Sequence, residues 1–239
     1  IAGPASSKTR RRRVELLAGL AQIRQTGVDL GSGRLTVEIL RRQDWAESWK
    51  KHFPPIVIGR ALLIQPSWSR RQPATGQARV VLDPGLSFGT GQHPTTRFCL
   101  EQLVDFRRKR PAPSFLDVGT GSGILAIAAA KLGYGRVSAL DFDPDVVRIA
   151  GANAAQNAVR TAIRLRRQDI GQLPVRSRAT YDLVCANLTS DLLLAHRERL
   201  MFRVCRGGRL VLAGILESQF PDVEQAYAER GCRLAAART

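Results

Sequence analysis

A chain of 239 residues with 44% hydrophobic side chains has enough apolar material for one full α/β domain and a smaller appendage, as in an ordinary globular protein. Its longest uncharged apolar run, Ile124 to Ala130, falls far short of the roughly 20 residues that cross a bilayer, which excludes a membrane-spanning helix. The net charge of +17 raises nucleic-acid binding, but apart from Arg10 to Arg13 the basic residues are spread through every segment, so charge alone implies only non-specific attraction.

The first 13 residues are small, polar and basic, and are expected to form a disordered tail. Val14, Leu17, Leu20 and Ile23 recur at steps of three and predict a helix over 14–25, while Leu35, Val37 and Ile39 alternate and predict a strand over 34–41. These elements make 14–43 a small, incomplete N-terminal α/β appendage. The stretch from Asp44 to Trp68 holds all three tryptophans and Pro54, Pro55 and Pro66, and reads as an irregular connector over 44–80. Its aromatics serve either as packing or as part of a substrate cleft.

The pattern turns regular at Ser114. Strands are expected at 114–118, 136–140, 163–166, 181–185 and 209–213. Helices are expected from the glycine turn to Lys131, from Pro144 to Asn157, and over 192–202 and 221–229. Strands and helices alternating at this spacing make an α/β fold with a doubly wound, mostly parallel sheet over 81–239. Cys99, Cys185, Cys205 and Cys232 are isolated, with no C-x-x-C pair, so they read as free thiols of a reducing cytoplasm and not as a zinc site. The chain opens with Ile1 and has no signal-peptide pattern, which fits a fragment or a processed chain.

Between the first regular strand and its helix lies Asp117-Val118-Gly119-Thr120-Gly121-Ser122-Gly123. Glycines let the backbone turn tightly and approach a ligand, and the helix start offers unpaired N–H groups. A dinucleotide fingerprint, G-x-G-x-x-G, would put its third glycine at Ile124, so pyrophosphate fits less well than a nucleoside here. Asp141 closes the next strand and can accept hydrogen bonds from ribose hydroxyls, while Asp143 suits the cap of the helix at Pro144. Asn187 falls at the carboxyl edge beside the glycine loop, where it either orients a ligand or simply turns the chain. The run Asn187-Leu188-Thr189-Ser190 lacks the prolines and aromatic that accompany planar acceptors.

Ahead of the core, Asp83-Pro84-Gly85-Leu86-Ser87-Phe88-Gly89-Thr90-Gly91-Gln92-His93-Pro94-Thr95-Thr96 resembles a motif of the ribosomal protein L11 methyltransferase family (PrmA). The resemblance continues through Asp44-Trp45, Trp49, Pro66-Ser67-Trp68, the glycine loop, Asp141-Phe142-Asp143-Pro144, Ala186-Asn187-Leu188 and Gly214-Ile215-Leu216-Glu217-Ser218-Gln219, covering roughly residues 40 to 230. It implies a Rossmann-like class I methyltransferase with S-adenosyl-L-methionine as cofactor. By position, the cofactor contacts would fall on Thr96, Gly119, Gly121, Asp141 and Asn187. It also implies a recognition domain of which 14–43 would be the remnant, and a final strand and hairpin beyond Cys232 to Leu234.

The activity so implied is methyl transfer by a monomeric enzyme, without a metal, to lysine or N-terminal amines of a large-subunit ribosomal protein. Another protein lysine, such as one on an electron-transfer flavoprotein, is the alternative acceptor. No catalytic side chain is assigned: His93 stands between a shaped-loop role and a base. From other classes, an NAD-dependent oxidoreductase needs the glycine spacing that Ile124 breaks, and a non-catalytic nucleic-acid binder needs a clustered basic face.

Overall fold

The computed structural model describes residues 7–28, 31–32, 35, 49–84 and 93–238. Two compact units divide the chain, Ile1–Lys51 and His52–Thr239. In the first, α1 runs Ser7–Gln25, so Ser7 to Arg13 are helical and not part of a disordered tail. Arginine is a good helix former, and Arg11 Nε reaches Glu15 Oε1 one turn on at 3.2 Å. The strand expected over 34–41 lies outside the described residues except for Leu35, as do Asp44 and Trp45.

The second unit opens with a small sheet where an irregular connector was expected. Strands β1 (Ile56–Ile58), β2 (Leu62–Gln65) and β3 (Ala78–Val81) pair in that order, the first two antiparallel and the last two parallel. All four residues of β2 are buried, so the strand carries no polar alternation by which to be recognised. Pro54, Pro55 and Pro66 stand outside the strands, where a missing N–H breaks no ladder bond. The boundary between the two units falls after Lys51, inside the 44–80 stretch that was read as a connector.

Beyond it the chain alternates: α2 (Pro94–Lys109), β4 (Ser114–Val118), α3 (Ile124–Lys131), β5 (Arg136–Asp141), α4 (Pro144–Gln156), β6 (Ile163–Arg167), β7 (Tyr181–Asn187), α5 (Ser190–Ala195), α6 (Arg197–Met201), β8 (Val204–Ala213) and α7 (Phe220–Ala228). The five later strands form one sheet, β6-β5-β4-β7-β8, with every neighbouring pair parallel. The single helix expected over 192–202 breaks at His196 into α5 and α6.

Alternate residues of each strand feed opposite faces. Phe115, Val137, Ala139, Leu183 and Cys185 pack with Leu100 and Leu103 of α2, Ile124 to Ala129 of α3, and Ile64 and Val80 of the small sheet. Leu116, Val118, Val184 and Ala186 pack with Leu193 and Leu200 on the other side. Helices on both faces make the sheet doubly wound, as the alternation predicted. Helix α3 is apolar all round because neighbours surround it: Ile124 to Ala129 are all buried, and its alanines permit close approach. Asn157, at the end of α4, ties that helix to β3, donating from Nδ2 to the Val81 carbonyl and accepting the Val81 N–H, both at 2.7 Å.

Candidate functional site

The chain leaves β4 toward β5 on one side, and β7 lies on its other side and leads to β8. Loops departing in opposite directions open a crevice at the carboxyl ends of β4 and β7, where open α/β sheets bind ligands. Three glycines shape its floor. Gly119, Gly121 and Gly123 have φ of +73°, +55° and +83°, a region costly for any residue with a Cβ. A Cβ on Gly119 would also stand 2.5 Å from Leu188 Cδ2, so the leucine after Asn187 already rests against the loop. At Gly123 a Cβ would lie 3.1 Å from Ala150 Cβ, which keeps α3 and α4 close.

The loop is braced from below and from the side. Gly119 and Thr120 donate backbone N–H groups to the Leu140 carbonyl at 3.0 and 3.1 Å, fastening the end of β4 to the end of β5. Asp117, 1% exposed, accepts the Thr120 hydroxyl at 2.7 Å. Burial pushes its carboxyl up to about 7, against the pull of that hydroxyl, and the neighbouring Asp141 charge adds to the rise.

The structure separates the two aspartates as the sequence suggested. Asp143 caps α4, accepting the Asp145 N–H at 2.8 Å. Asp141 instead faces the glycine loop: its Oδ2 accepts the Gly121 N–H at 3.1 Å and its Oδ1 the Asp143 N–H at 3.2 Å. Each carboxylate oxygen has two acceptor sites, so one remains on each for further donors. Phe142, the next residue, is 70% exposed at the rim.

Across the crevice, Asn187 Nδ2 donates to Thr95 Oγ1 at 3.3 Å. Thr95 in turn lies 2.6 Å from His93 Nδ1, which also accepts the Thr95 N–H at 3.4 Å and so caps α2 ahead of Pro94. Thr96 is buried at 3% exposure and has no side-chain hydrogen bond among the described residues. Gly214, at the end of β8, is held close: a Cβ there would lie 2.5 Å from the Leu188 carbonyl and 3.1 Å from Asn187 Oδ1.

Gly119, Gly121, Asp141 and Asn187 thus converge at one sheet edge, while residues 85–92 of the upstream motif lie outside the described residues. Sequence reasoning missed Thr95, Leu188 and Phe142 as site residues. All three had a signal, since each stands inside a motif that carries the family resemblance. Among the described residues, no group of three or more His, Cys, Asp or Glu is arranged to hold a metal ion. None of the described helices is long and apolar enough to cross a membrane. All four cysteines are free, with Cys99 and Cys185 buried.

Over residues 9–238 the sequence matches the family described as Ribosomal protein L11 methyltransferase (PrmA). It is 43% identical over 201 residues to the ribosomal protein L11 methyltransferase of Geobacter sulfurreducens, covering 84% of this chain and 64% of that protein. With the protein of the same name from Exiguobacterium sp. it shares 38% identity over 214 residues, covering 90% of this chain and 67% of the relative. The chain thus spans about two thirds of the length of these curated relatives. The crystal structure of ribosomal protein L11 methylase from Lactobacillus delbrueckii subsp. bulgaricus aligns with a TM-score of 0.65 at 34% identity, covering 77% of this chain and 94% of that one.

Proposed function

The chain belongs to the ribosomal protein L11 methyltransferase (PrmA) family, and from that premise we propose that it transfers methyl groups from S-adenosyl-L-methionine to amino groups, on lysine or an N-terminus, of a large-subunit ribosomal protein in the cytoplasm. The observation that carries this reading is the pairing of the Asp141 carboxylate with the Gly121 N–H at the crevice. It leaves acceptor capacity where a ribose diol needs it and a glycine-lined floor that tolerates close approach. The exposed Phe142 ring beside Asp141 offers an apolar face for a nucleobase. Thr96 would lie near the methionine part of the donor, and Gly119 would admit it against the loop.

The bound donor would supply an electrophilic sulfonium methyl, which a neutral amine can take by in-line displacement. The chain's own task is to bring that amine up unprotonated and aligned. An ammonium with a reference pKa near 10.4 loses its proton more readily once desolvated. Asn187 directs its Nδ2 to Thr95, so its carbonyl oxygen is the end left to accept an amine N–H. Alignment of this kind supplies much of the rate in such a displacement.

Calorimetry with S-adenosylhomocysteine and with NAD tests the reading. Micromolar-range binding of the former and none of the latter is expected; preference for NAD would overturn it. Methylation of a purified ribosomal acceptor, followed by mass spectrometry, then tests lysine against N-terminal transfer.

A further inference from the structure

Strand β7 hands over to α5 through Leu188 and Thr189 alone. Asn187, the last residue of β7, pairs with Ala213 of β8 in parallel register, and the Leu188 N–H donates to the Ala213 carbonyl at 3.0 Å. The backbone that carries the Asn187 amide is thereby tied to β8.

Leu188 spans the sheet edge in both directions. Its side chain reaches toward β4, where Cδ2 stands 2.5 Å from the position that a Cβ on Gly119 would take. Its carbonyl points the other way: the oxygen stands 2.5 Å from where a Cβ on Gly214 would be, with Asn187 Oδ1 3.1 Å from the same point. Strands β4, β7 and β8 are consecutive in the sheet, so one residue over the middle strand touches the ends of both neighbours. Both contacts need glycine, since Gly119 and Gly214 have φ of +73° and +87° and neither has room for a side chain. Below the edge, the half-buried Leu188 side chain packs on the cluster that includes Val184, Ala186 and Leu193, which fixes it from the sheet side.

We propose that Leu188 is a positioning residue for methyl transfer: wedged between Gly119 and Gly214, it sets the gap between the glycine floor that receives the donor and the Asn187 amide that receives the amine. The assignment rests on the function proposed above. Reacting atoms must be held about 3–3.5 Å apart, and a misplacement of about 1 Å costs on the order of 100-fold in rate. Leucine serves as a spacer because its methyl groups cannot be compressed against the loop, whereas alanine leaves a void into which the turn relaxes. It forms no bond with either reactant and acts through the placing of Asn187.

The test compares Leu188→Ala, Leu188→Met and Leu200→Ala with the parent chain. Leu200 belongs to the same core cluster but lies just ahead of the start of β8, at the opposite edge of the sheet, and is 1% exposed. In Leu188→Ala, kcat should fall roughly 10- to 100-fold, with the acceptor KM and the Kd for S-adenosylhomocysteine within about threefold of the parent. Leu188→Met, nearly equal in volume, should recover kcat to within about fivefold. Leu200→Ala should lower the urea midpoint at least as far as Leu188→Ala, yet leave kcat within about twofold. Added to Asn187→Ala, the Leu188→Ala change should cost less than about threefold more, since both act through one amide. Equal kcat losses in the two alanine variants, or full additivity with Asn187→Ala, would reduce Leu188 to packing and overturn the proposal. A readout free of turnover is the Asn187 side-chain amide in NMR spectra of the isotope-labelled protein without ligand. Its resonances should move toward those of a free asparagine in Leu188→Ala and stay in place in Leu200→Ala. Methyl transfer by the parent with these resonances unmoved in Leu188→Ala sinks this proposal only; no transfer, with the resonances displaced in Leu188→Ala alone, sinks the methyltransferase reading and leaves the wedge standing.

Discussion

Asn187 and Thr95, 92 positions apart in sequence, meet at 3.3 Å with the amide nitrogen donating to the hydroxyl. His93 Nδ1 accepts the Thr95 N–H, so it presents a lone pair, and the Thr95 hydroxyl 2.6 Å away donates to it. Thr95 Oγ1 is then left to accept from Asn187. The hydrogen bonds run one way, from Asn187 through Thr95 to His93, and the orientation of the Asn187 amide follows from the cap of a helix.

Thr95→Val keeps shape and removes the hydroxyl, so it should free the Asn187 amide. Methyl transfer should fall about tenfold, the rate equivalent of roughly 1.4 kcal/mol, with S-adenosylhomocysteine affinity nearly unchanged. Thr95→Ser should restore most of the loss. Equal losses in kcat and in ligand affinity would show that Thr95 serves only to bind.

Asp141→Ala should weaken S-adenosylhomocysteine by roughly 1.5 to 3 kcal/mol, the range for hydrogen bonds to a charged acceptor, as read by calorimetry. The carboxylate also holds the Gly121 N–H, so Asp141→Asn, which keeps one acceptor, should lose less. An unchanged affinity in the alanine variant removes the ribose assignment.

Asn187→Ala should depress methyl transfer more than cofactor binding, because its carbonyl oxygen is the end turned from Thr95 toward Gly214. Steady-state kinetics beside calorimetry distinguish the two. Matching losses would make Asn187 a cofactor contact alone.

Asp117 gives a pH signature. Burial holds its carboxyl at about 7, against an ordinary value of 3.8, so between those values the folded chain binds a proton that the unfolded chain releases. Its contribution to stability is therefore greatest at low pH and is lost as pH rises through about 7. Asp117→Asn keeps an acceptor for Thr120 and removes the titration. Its stability relative to the parent should grow between pH 5 and pH 8, by an amount on the order of a few kcal/mol at most. Urea unfolding at both values checks this, and a difference that does not change with pH contradicts it.

Asn157→Ala removes both links to Val81 and the bond from Nδ2 to the Asn153 carbonyl at 2.8 Å. A loss of about 1–3 kcal/mol in thermal or urea unfolding is expected, since the Val81 groups lose their partner. A change inside about 0.5 kcal/mol, usual for surface sites, would show that water replaces the amide without cost.

The sequence by itself determined the alternating sheet, the glycine turn, the cap at Asp143 and the placing of Asp141 beside the loop. These are local matters: backbone chirality demands glycine at positive φ, a proline starts a helix behind a capping side chain, and strand-end residues fall at one edge once strands run parallel. Only the tertiary structure decided that Thr95 meets Asn187, because the two stand 92 positions apart and come within reach only once α2 has packed beside the end of β7. The same holds for the small sheet. Its strand β2 is buried on both faces and has no polar alternation to read, and its edge is completed by Asn157, 76 positions from Val81, so it exists as a strand only once the rest of the domain has packed around it.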